Sequence, residues 1–221
     1  MPAFFKDYKN FLGTGKTNDA GQTLDVFLEE YDPYKYKNPC STVDVVVFSY
    51  KDKPIRDTEW KGLLIQRKNH PSIGYWALPG GFVNLHENLE VSAHRELEEE
   101  TGVKGLLLEQ IKAYGDEKRD PRARVITTAY MAIVKEEDVK VKAGDDAADA
   151  HWFKLQISKD GNIYASHYDY EDIHVSCTIE QIVKGNLVQE VKNTILDDQL
   201  LCGDHGIIIL DAWNRLYDIL K

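Results

Sequence analysis

The chain has 221 residues, 43% hydrophobic and 29% charged, enough apolar material for one domain with an extension and too much for a disordered tail. Lysine and arginine number 27 against 37 aspartates and glutamates, a net charge of -10, which argues against a polyanion binder such as a duplex-DNA protein but leaves room for a small anion held by a local basic cluster or by metal ions. No apolar run approaches the ~18–20 residues of a membrane span, the N-terminus MPAFFKDYKN has no signal-peptide h-region, and Cys40, Cys177 and Cys202 are too scattered for a disulfide framework, so the expectation is a cytoplasmic protein with neither membrane nor nucleic acid as partner.

Residues 1–37 read as an N-terminal extension, irregular to residue 22 and then a short helix. Leu24, Phe27, Leu28 and Tyr31 fall at i, i+3, i+4 and i+7 with Thr23 as N-cap. Gly13-Thr14-Gly15-Lys16-Thr17 imitates the end of a phosphate loop, but the motif needs a glycine where Asn10 stands and no buried strand precedes it. The main domain is read as 38–221. The β-branched run Thr42–Phe48 is a buried strand, and Leu63–Ile65 a second. Asn88–Thr101 reads as a helix with Leu89, Ala93 and Leu97 on one face and Gly102 as its stop. Leu106–Tyr114, Val125–Val134 and His151–Leu155 follow as strands. Residues 156–204 hold strands near Ile163–Tyr168 and Ile173–Ile179 and a mixed stretch, and His205–Lys221 is an amphipathic helix. Helices and strands without regular βα alternation predict a mixed sheet between helices, an α/β/α sandwich.

The segment that carries chemistry is Gly81 to Val103. On its helix Glu96, Glu99 and Glu100 lie at i, i+3 and i+4, opposite Leu89, Ala93 and Leu97. Three carboxylates on one face repel and raise each other's pKa, and a helix C-terminus disfavours them. Hard divalent cations resolve that conflict, and Mg²⁺ suits a few carboxylates, waters and phosphate oxygens. Arg95 is placed to orient a carboxylate through a bidentate pair. Gly80 and Gly81 let the backbone turn tightly into the same space. A run of glutamates alone is usually a solvated face. Here the full pattern is Gly, five residues, Glu, seven residues, then Arg-Glu-apolar-x-Glu-Glu-x-Gly-apolar, a chance match of roughly 10⁻⁶ at average residue usage.

This pattern is the Nudix box, and the sequence resembles the Nudix hydrolases. Thr42–Phe48, Leu64-Ile65-Gln66-Arg67 and Trp76–Val83 resemble the strands that lead into the box. Arg119-Asp120-Pro121-Arg122-Ala123-Arg124-Val125-Ile126, Ala129-Tyr130, Asp149–Phe153 and Asp204-His205 resemble the branch that contains ADP-ribose pyrophosphatases and related NAD-metabolism regulators. The resemblance, which covers about residues 38–155 and 203–221, implies a Nudix α/β/α sandwich, to which the N-terminal helix is added, and a diphosphatase that hydrolyses ADP-ribose, or a similar nucleoside diphosphate, to AMP and ribose 5-phosphate. It implies Mg²⁺, with Mn²⁺ as a substitute, held by Glu96, Glu99 and Glu100, with Glu87 and the Gly81 carbonyl as supplementary ligands. Arg95, Glu99 and Glu100 are the catalytic candidates. Arg67, Arg119 and Arg122 are candidates to clamp phosphate or ribose oxygens, and Phe82, Tyr34, Tyr36 and Trp76 to stack on a base. A downstream acid often serves as base in this branch; Glu136, Glu137, Asp145, Asp146 and Glu171 are the candidates.

Residues 156–204 depart from the branch and read as an insertion that covers the active site, reshapes substrate choice or builds a dimer contact. His174, Cys177, Cys202 and His205 have spacings that suit zinc, but buried cysteine and hydrogen-bonded histidine are the default. Two rivals stand beside the leading reading. One is a Nudix hydrolase of another dinucleotide, sugar nucleotide or nucleoside triphosphate. The other is a ligand-sensing regulator, against which stand the complete carboxylate set and the expectation that no DNA-binding domain follows the last helix.

Overall fold

The computed structural model describes residues 4, 6–144 and 147–220, so Asp145 and Asp146 lie outside the described residues. The chain forms two compact units, Met1–Asn38 and Pro39–Lys221. In the first, a 3₁₀ turn at Lys9–Phe11 precedes α1 (Leu24–Glu30), whose N-cap Thr23 accepts from the Val26 N–H at the expected position. Tyr8 Oη donates to Asp25, joining turn to helix. The helix buries none of its residues.

The second unit is built on a ten-stranded sheet. Its strands are β1 (Cys40–Tyr50), β2 (Lys61–Arg67), β3 (Trp76–Ala77), β4 (Gly80–Phe82), β5 (Glu109–Tyr114), β6 (Val125–Lys135), β7 (Ala147–Asp160), β8 (Ile163–Tyr170), β9 (Ile173–Lys184) and β10 (Glu190–Gln199). The main path runs β10-β9-β8-β7-β2-β1-β6-β5. Among the described residues β1 and β6 are the one parallel pair of strands, in register from Cys40 with Val125 to Tyr50 with Lys135. β1 and β2 pair at one end only, Phe48 with Gly62 and Ser49 with Lys61. Beyond that point β3 takes up β2 and β4 takes up β1. The sheet therefore opens a cleft between β1 and β2, rimmed by β3 and β4.

β1 reads as a β-branched run, apolar from Val43 to Phe48 but for Asp44, because both its faces are covered. Val43, Val45 and Val47 pack with Ala93, Leu97 and Val103 of α2 (Leu89–Thr101) and its exit. Val46 and Phe48 pack on the other face with Ile208, Ile209, Ala212, Trp213 and Leu216 of α3 (His205–Ile219). The expected sandwich is therefore present. Among the described residues no helix is long and apolar enough to cross a membrane.

The sequence reading undersized the strands of the second half. His151–Leu155 is the middle of a strand of 14 residues; the strands expected near Ile163–Tyr168 and Ile173–Ile179 are present as β8 and β9, the second running on to Lys184, and the stretch expected to be mixed contains β10, which completes an antiparallel meander with them. Val175, Cys177 and Ile179 alternate inward on β9 against the α3 core. After β10 the chain turns back: Trp76 N–H donates to the Leu200 carbonyl, and Cys202 N–H donates to the Trp76 carbonyl. That return delivers Gly203, Asp204 and His205 to the cleft.

Candidate active site

α2 carries the expected carboxylates, and Arg95 binds them together. Its Nε donates to both oxygens of Glu87 at 3.0 and 3.2 Å, and its Nη1 donates to Glu96 at 2.6 Å and Glu99 at 3.0 Å. Nη2 donates to the Phe82 carbonyl and again to Glu87, both at 3.0 Å. One guanidinium thus answers three carboxylates and ties β4 to the helix. With Ser92 Oγ as a further donor, this holds the Glu87 carboxyl down to about 2. Glu100, beside Glu96 on the same chamber, is buried. Gly80 N–H donates to its Oε2 at 2.9 Å. Burial, with Glu96 and Asp44 adding, pushes its carboxyl up to about 8 although Gly80 and Arg67 pull it down.

The glycines before the helix are explained by close approach. A Cβ on Gly81 would stand 2.5 Å from the Glu96 carboxylate, and one on Gly80 would stand 2.2 Å from the Val43 carbonyl oxygen. At the other end of α2, Gly102 adopts φ 71° and closes on the Glu98 carbonyl, as its C′ position predicts. Lys142 and Gly144 N–H groups then donate to the Thr101 and Glu100 carbonyls, which a helix C-terminus otherwise leaves open.

Two chambers meet at Gly80, Gly81 and Phe82. The outer one, about 400 Å³, is lined by Glu96, Glu100, Arg95 and Asn84 on the α2 side and by Arg67 to His70 opposite. The inner one, about 190 Å³, lies toward α3 and is lined by Asp44, Arg119, Asp120, Asp204 and His205 among others. Ile65, Arg67 and Arg122 line both. The structure therefore brings Glu96, Glu100, Arg95, Gly81, Phe82, Arg67, Arg119 and Arg122 to one cleft, with Glu87 and Glu99 bound to Arg95 at its rim.

The three arginines differ in kind. Arg119 is buried and grips Asp204 through Nε and Nη2, both at 2.9 Å, with Asp44 at 3.5 Å. It is a wall rather than a free clamp. Arg122 is half-exposed, pairs with Asp120 at 2.8 Å and lies over the Phe82 ring, 5.3 Å from its centroid. Arg67 spends its Nε on the Pro71 carbonyl at 2.7 Å. Of the aromatic candidates, Phe82 is 45% exposed at the cleft, whereas Trp76 is a core residue packed edge-on against Phe153. Tyr34 and Tyr36 are exposed in the N-terminal unit. Glu136 pairs with Lys61, Glu137 with Lys135, and Glu171 sits at φ 51° on the β8–β9 turn; none of the three lines either chamber.

The four zinc candidates do not assemble. His174 is exposed on Asp169, the Cys177 thiol is sealed against Gly206 and pushed up to about 12 by burial, and His205 accepts from Leu78 N–H. Among the described residues no group of three or more His, Cys, Asp or Glu stands set to hold a metal ion; in the α2 cluster the Arg95 guanidinium stands between the carboxylates.

Asp44, Asp204 and His205 were missed as site residues. Asp44 had a signal: an acid inside an apolar β-branched run must be paired or functional. Asp204 and His205 had the branch resemblance and, for His205, a spacing that suited zinc, but neither signal put them in this cleft, because the return of the chain after β10 positions them.

The comparisons with known proteins agree with this geometry. A family profile described as the NUDIX domain matches residues 33–170. The chain is 36% identical over 145 residues to the ADPR responsive transcriptional repressor NtrR of Acinetobacter baylyi, covering 65% of this chain and 56% of the repressor. It is 37% identical over 138 residues to the ADP-ribose pyrophosphatase of Methanocaldococcus jannaschii, covering 62% of this chain and 72% of that enzyme. Among solved structures, a MutT/nudix family protein from Enterococcus faecalis superimposes with a TM-score of 0.69 at 34% identity, covering 97% of this chain and 76% of that one. The NUDIX domain of Shewanella oneidensis NrtR, cocrystallised with ADP ribose, gives a TM-score of 0.61 at 28% identity, covering 88% of this chain and 99% of that one. With the complete box on α2 facing a cleft in a mixed sheet, the chain belongs to the Nudix family.

Proposed function

We propose that the protein is a pyrophosphohydrolase that cleaves ADP-ribose to AMP and ribose 5-phosphate, with Mg²⁺ as cofactor and Mn²⁺ as a substitute. The observation that carries this is the buried Glu100 carboxylate beside Glu96, facing a chamber of about 400 Å³. A buried acid with its pKa pushed up to about 8 ionises at neutral pH once a cation stands beside it. The oxygens of Glu96, Glu99 and Glu100, with Glu87 and the Gly81 carbonyl, are hard donors that suit Mg²⁺. When bound, the metal supplies neutralisation of the diphosphate charge and a water acidified toward hydroxide.

The chain's own groups do the rest. Gly80 N–H fixes Glu100, and Arg95 fixes Glu87 against β4, so the carboxylates are placed before substrate arrives. Arg67 and Arg122, on both chambers, orient the diphosphate through hydrogen bonds, and Phe82 offers a flat face beneath Arg122. Hydrolysis adds water across one phosphorus and breaks the P–O–P bridge, giving two phosphate monoesters. The small-molecule diphosphate is the partner in this reading; the charge balance argues against duplex DNA, and a homodimer is allowed. The sensor alternative draws on the similarity to a repressor, but a protein that only senses has no need of the intact Glu96, Glu99 and Glu100. Incubating the protein with Mg²⁺ and a panel of nucleoside diphosphate compounds, with products read by mass spectrometry, tests the reading. AMP and ribose 5-phosphate from ADP-ribose is the expected result. Turnover confined to another diphosphate overturns the substrate, and tight salt-sensitive binding of a promoter fragment by fluorescence anisotropy revives the sensor.

A further inference from the structure

The inner chamber is too small for a whole nucleotide. Its roughly 190 Å³ falls below the ~300–1,000 Å³ of pockets that enclose drug-sized ligands, so it takes one fragment of a substrate, about a single sugar ring. Its charges also cancel. Arg67, Arg119 and Arg122 face Asp44, Asp120 and Asp204, and Arg119 and Arg122 are already held by Asp204 and Asp120. A phosphate finds no surplus positive charge there. An uncharged hydrogen-bonding group suits it better.

Two groups in that chamber are set to receive one. His205 Nδ1 accepts the Leu78 N–H at 2.8 Å, which assigns the ring proton to Nε2. Nε2 faces Asp44 Oδ1 at 3.8 Å, too far for a direct hydrogen bond. A donor and an acceptor therefore stand side by side with a gap between them, each nearly buried, their side chains 12% and 9% exposed. An incoming hydroxyl is complementary to both: its oxygen accepts from Nε2–H and its hydrogen is donated to the carboxylate. Arg119, gripped by Asp204, holds Asp44 from its other oxygen, and the Leu78 bond holds the imidazole, so neither group has to reorganise to bind.

We propose that His205 and Asp44 form a hydroxyl-recognition pair. The pair makes the site select nucleoside diphosphates that carry a sugar on the second phosphate over nucleoside triphosphates and simple diphosphate esters. The proposal rests on the hydrolase reading above and names the part of the substrate that this reading leaves unassigned.

The test uses the full chain with Mg²⁺ and two non-hydrolysable probes, α,β-methylene ADP-ribose and the ethyl ester of α,β-methylene ADP, titrated by calorimetry. The wild type is expected to bind the sugar-bearing probe about tenfold more tightly, the scale of one or two buried hydrogen bonds. His205→Asn keeps an oxygen where Nδ1 accepts from Leu78 but does not reach the position of Nε2. It should lose most of that preference while its affinity for the ethyl ester and its melting temperature stay close to wild type. A ligand-side series needs no variant to fold: among probes lacking the 1-, 2- or 3-hydroxyl of the terminal ribose, at least one should bind the wild type about tenfold more weakly. Equal wild-type affinity for the two probes, an equal loss for both in His205→Asn, or indifference to every deoxy probe overturns the pair. Turnover of ADP-ribose separates the two readings. Hydrolysis without sugar preference sinks the pair alone, and sugar preference without hydrolysis sinks the hydrolase reading alone.

Discussion

The two sides of the cleft are built in opposite ways. On one side α2 carries Glu96, Glu99, Glu100 and Arg95 within a single turn and a half, so their mutual placement follows from helix geometry alone. On the other side Asp44 comes from β1, Arg119 from the loop after β5, and Asp204 and His205 from the return after β10. Leu200 sits at φ 61°, a left-handed conformation that non-glycine residues seldom adopt, at the turn that makes this return. The first side is local and transferable between proteins. The second exists only when 160 residues of register, Asp44 to Asp204, are correct. In our proposals chemistry sits on the local side and choice of substrate on the assembled side.

The contrast can be broken most sharply at Arg119. Removing its guanidinium leaves Asp44 and Asp204 facing each other without a counter-charge in a buried place. Breaking a buried pair in this way costs about 3–5 kcal/mol. Arg119→Ala should therefore show a large loss of stability in urea unfolding and a correspondingly lower melting temperature. A variant that loses affinity for ADP-ribose at unchanged stability would make Arg119 a substrate clamp after all.

On the local side the expected loss is in rate instead. Glu100→Gln and Glu99→Gln remove one charge each at nearly constant shape. Activity with Mg²⁺ should fall by roughly 10²-fold or more, about 2.7 kcal/mol of barrier, and apparent Mg²⁺ affinity should fall with it. Stability without metal should hold or rise for Glu100→Gln, since an amide is easier to bury than a carboxylate. Retained activity with identical Mg²⁺-induced shifts in melting temperature would return the acidic face to mere surface.

The same division decided what the sequence made legible. The box could be read because its identities recur at fixed short spacing, and the alternating cover on Val43 to Phe48 could be read because a strand buried on both faces has a composition of its own. β3 and β4 are two and three residues long, too short for any periodicity to announce them. β8 to β10 carry partly exposed, polar-rich alternation, and their length comes from pairing in the meander rather than from propensity. Arg119 and Arg122 look alike in the sequence, yet one is a buried strut and the other a half-exposed side chain, because only tertiary placement puts Asp204 opposite the first.

That distinction gives a smaller effect at Arg122. Its guanidinium is already occupied by Asp120 and stacked over Phe82, so it can add uniform binding without being part of the frame. Arg122→Ala should raise KM several-fold at nearly constant kcat and leave the free energy of urea unfolding within about 0.5 kcal/mol of wild type, as for a surface substitution. Steady-state kinetics with ADP-ribose read the first and unfolding curves the second. If KM and kcat are both unchanged, the residue belongs to a surface loop and the diphosphate is held elsewhere.

The smallest effect concerns Glu100 in the absence of metal. In the unfolded chain its carboxyl titrates near 4.5, and in the folded chain near 8 because burial disfavours the charge. The folded state therefore binds this proton more tightly. Its contribution to stability is full below the unfolded value and is lost as pH rises from about 4.5 through about 8. With metal chelated, the melting temperature should fall between pH 5 and pH 8 by more in the wild type than in Glu100→Gln, which has no proton to lose. Only part of the shift needs to be expressed, since a cleft side chain can take up water on ionising; each 1 kcal/mol moves the melting temperature of a chain of this size by roughly 2–4 °C. Mg²⁺ should erase the difference in slope by binding the ionised carboxylate in the folded state. Parallel slopes for the two proteins in chelator would mean that Glu100 is already ionised without metal, and that Gly80 N–H and Arg67 together outweigh its burial.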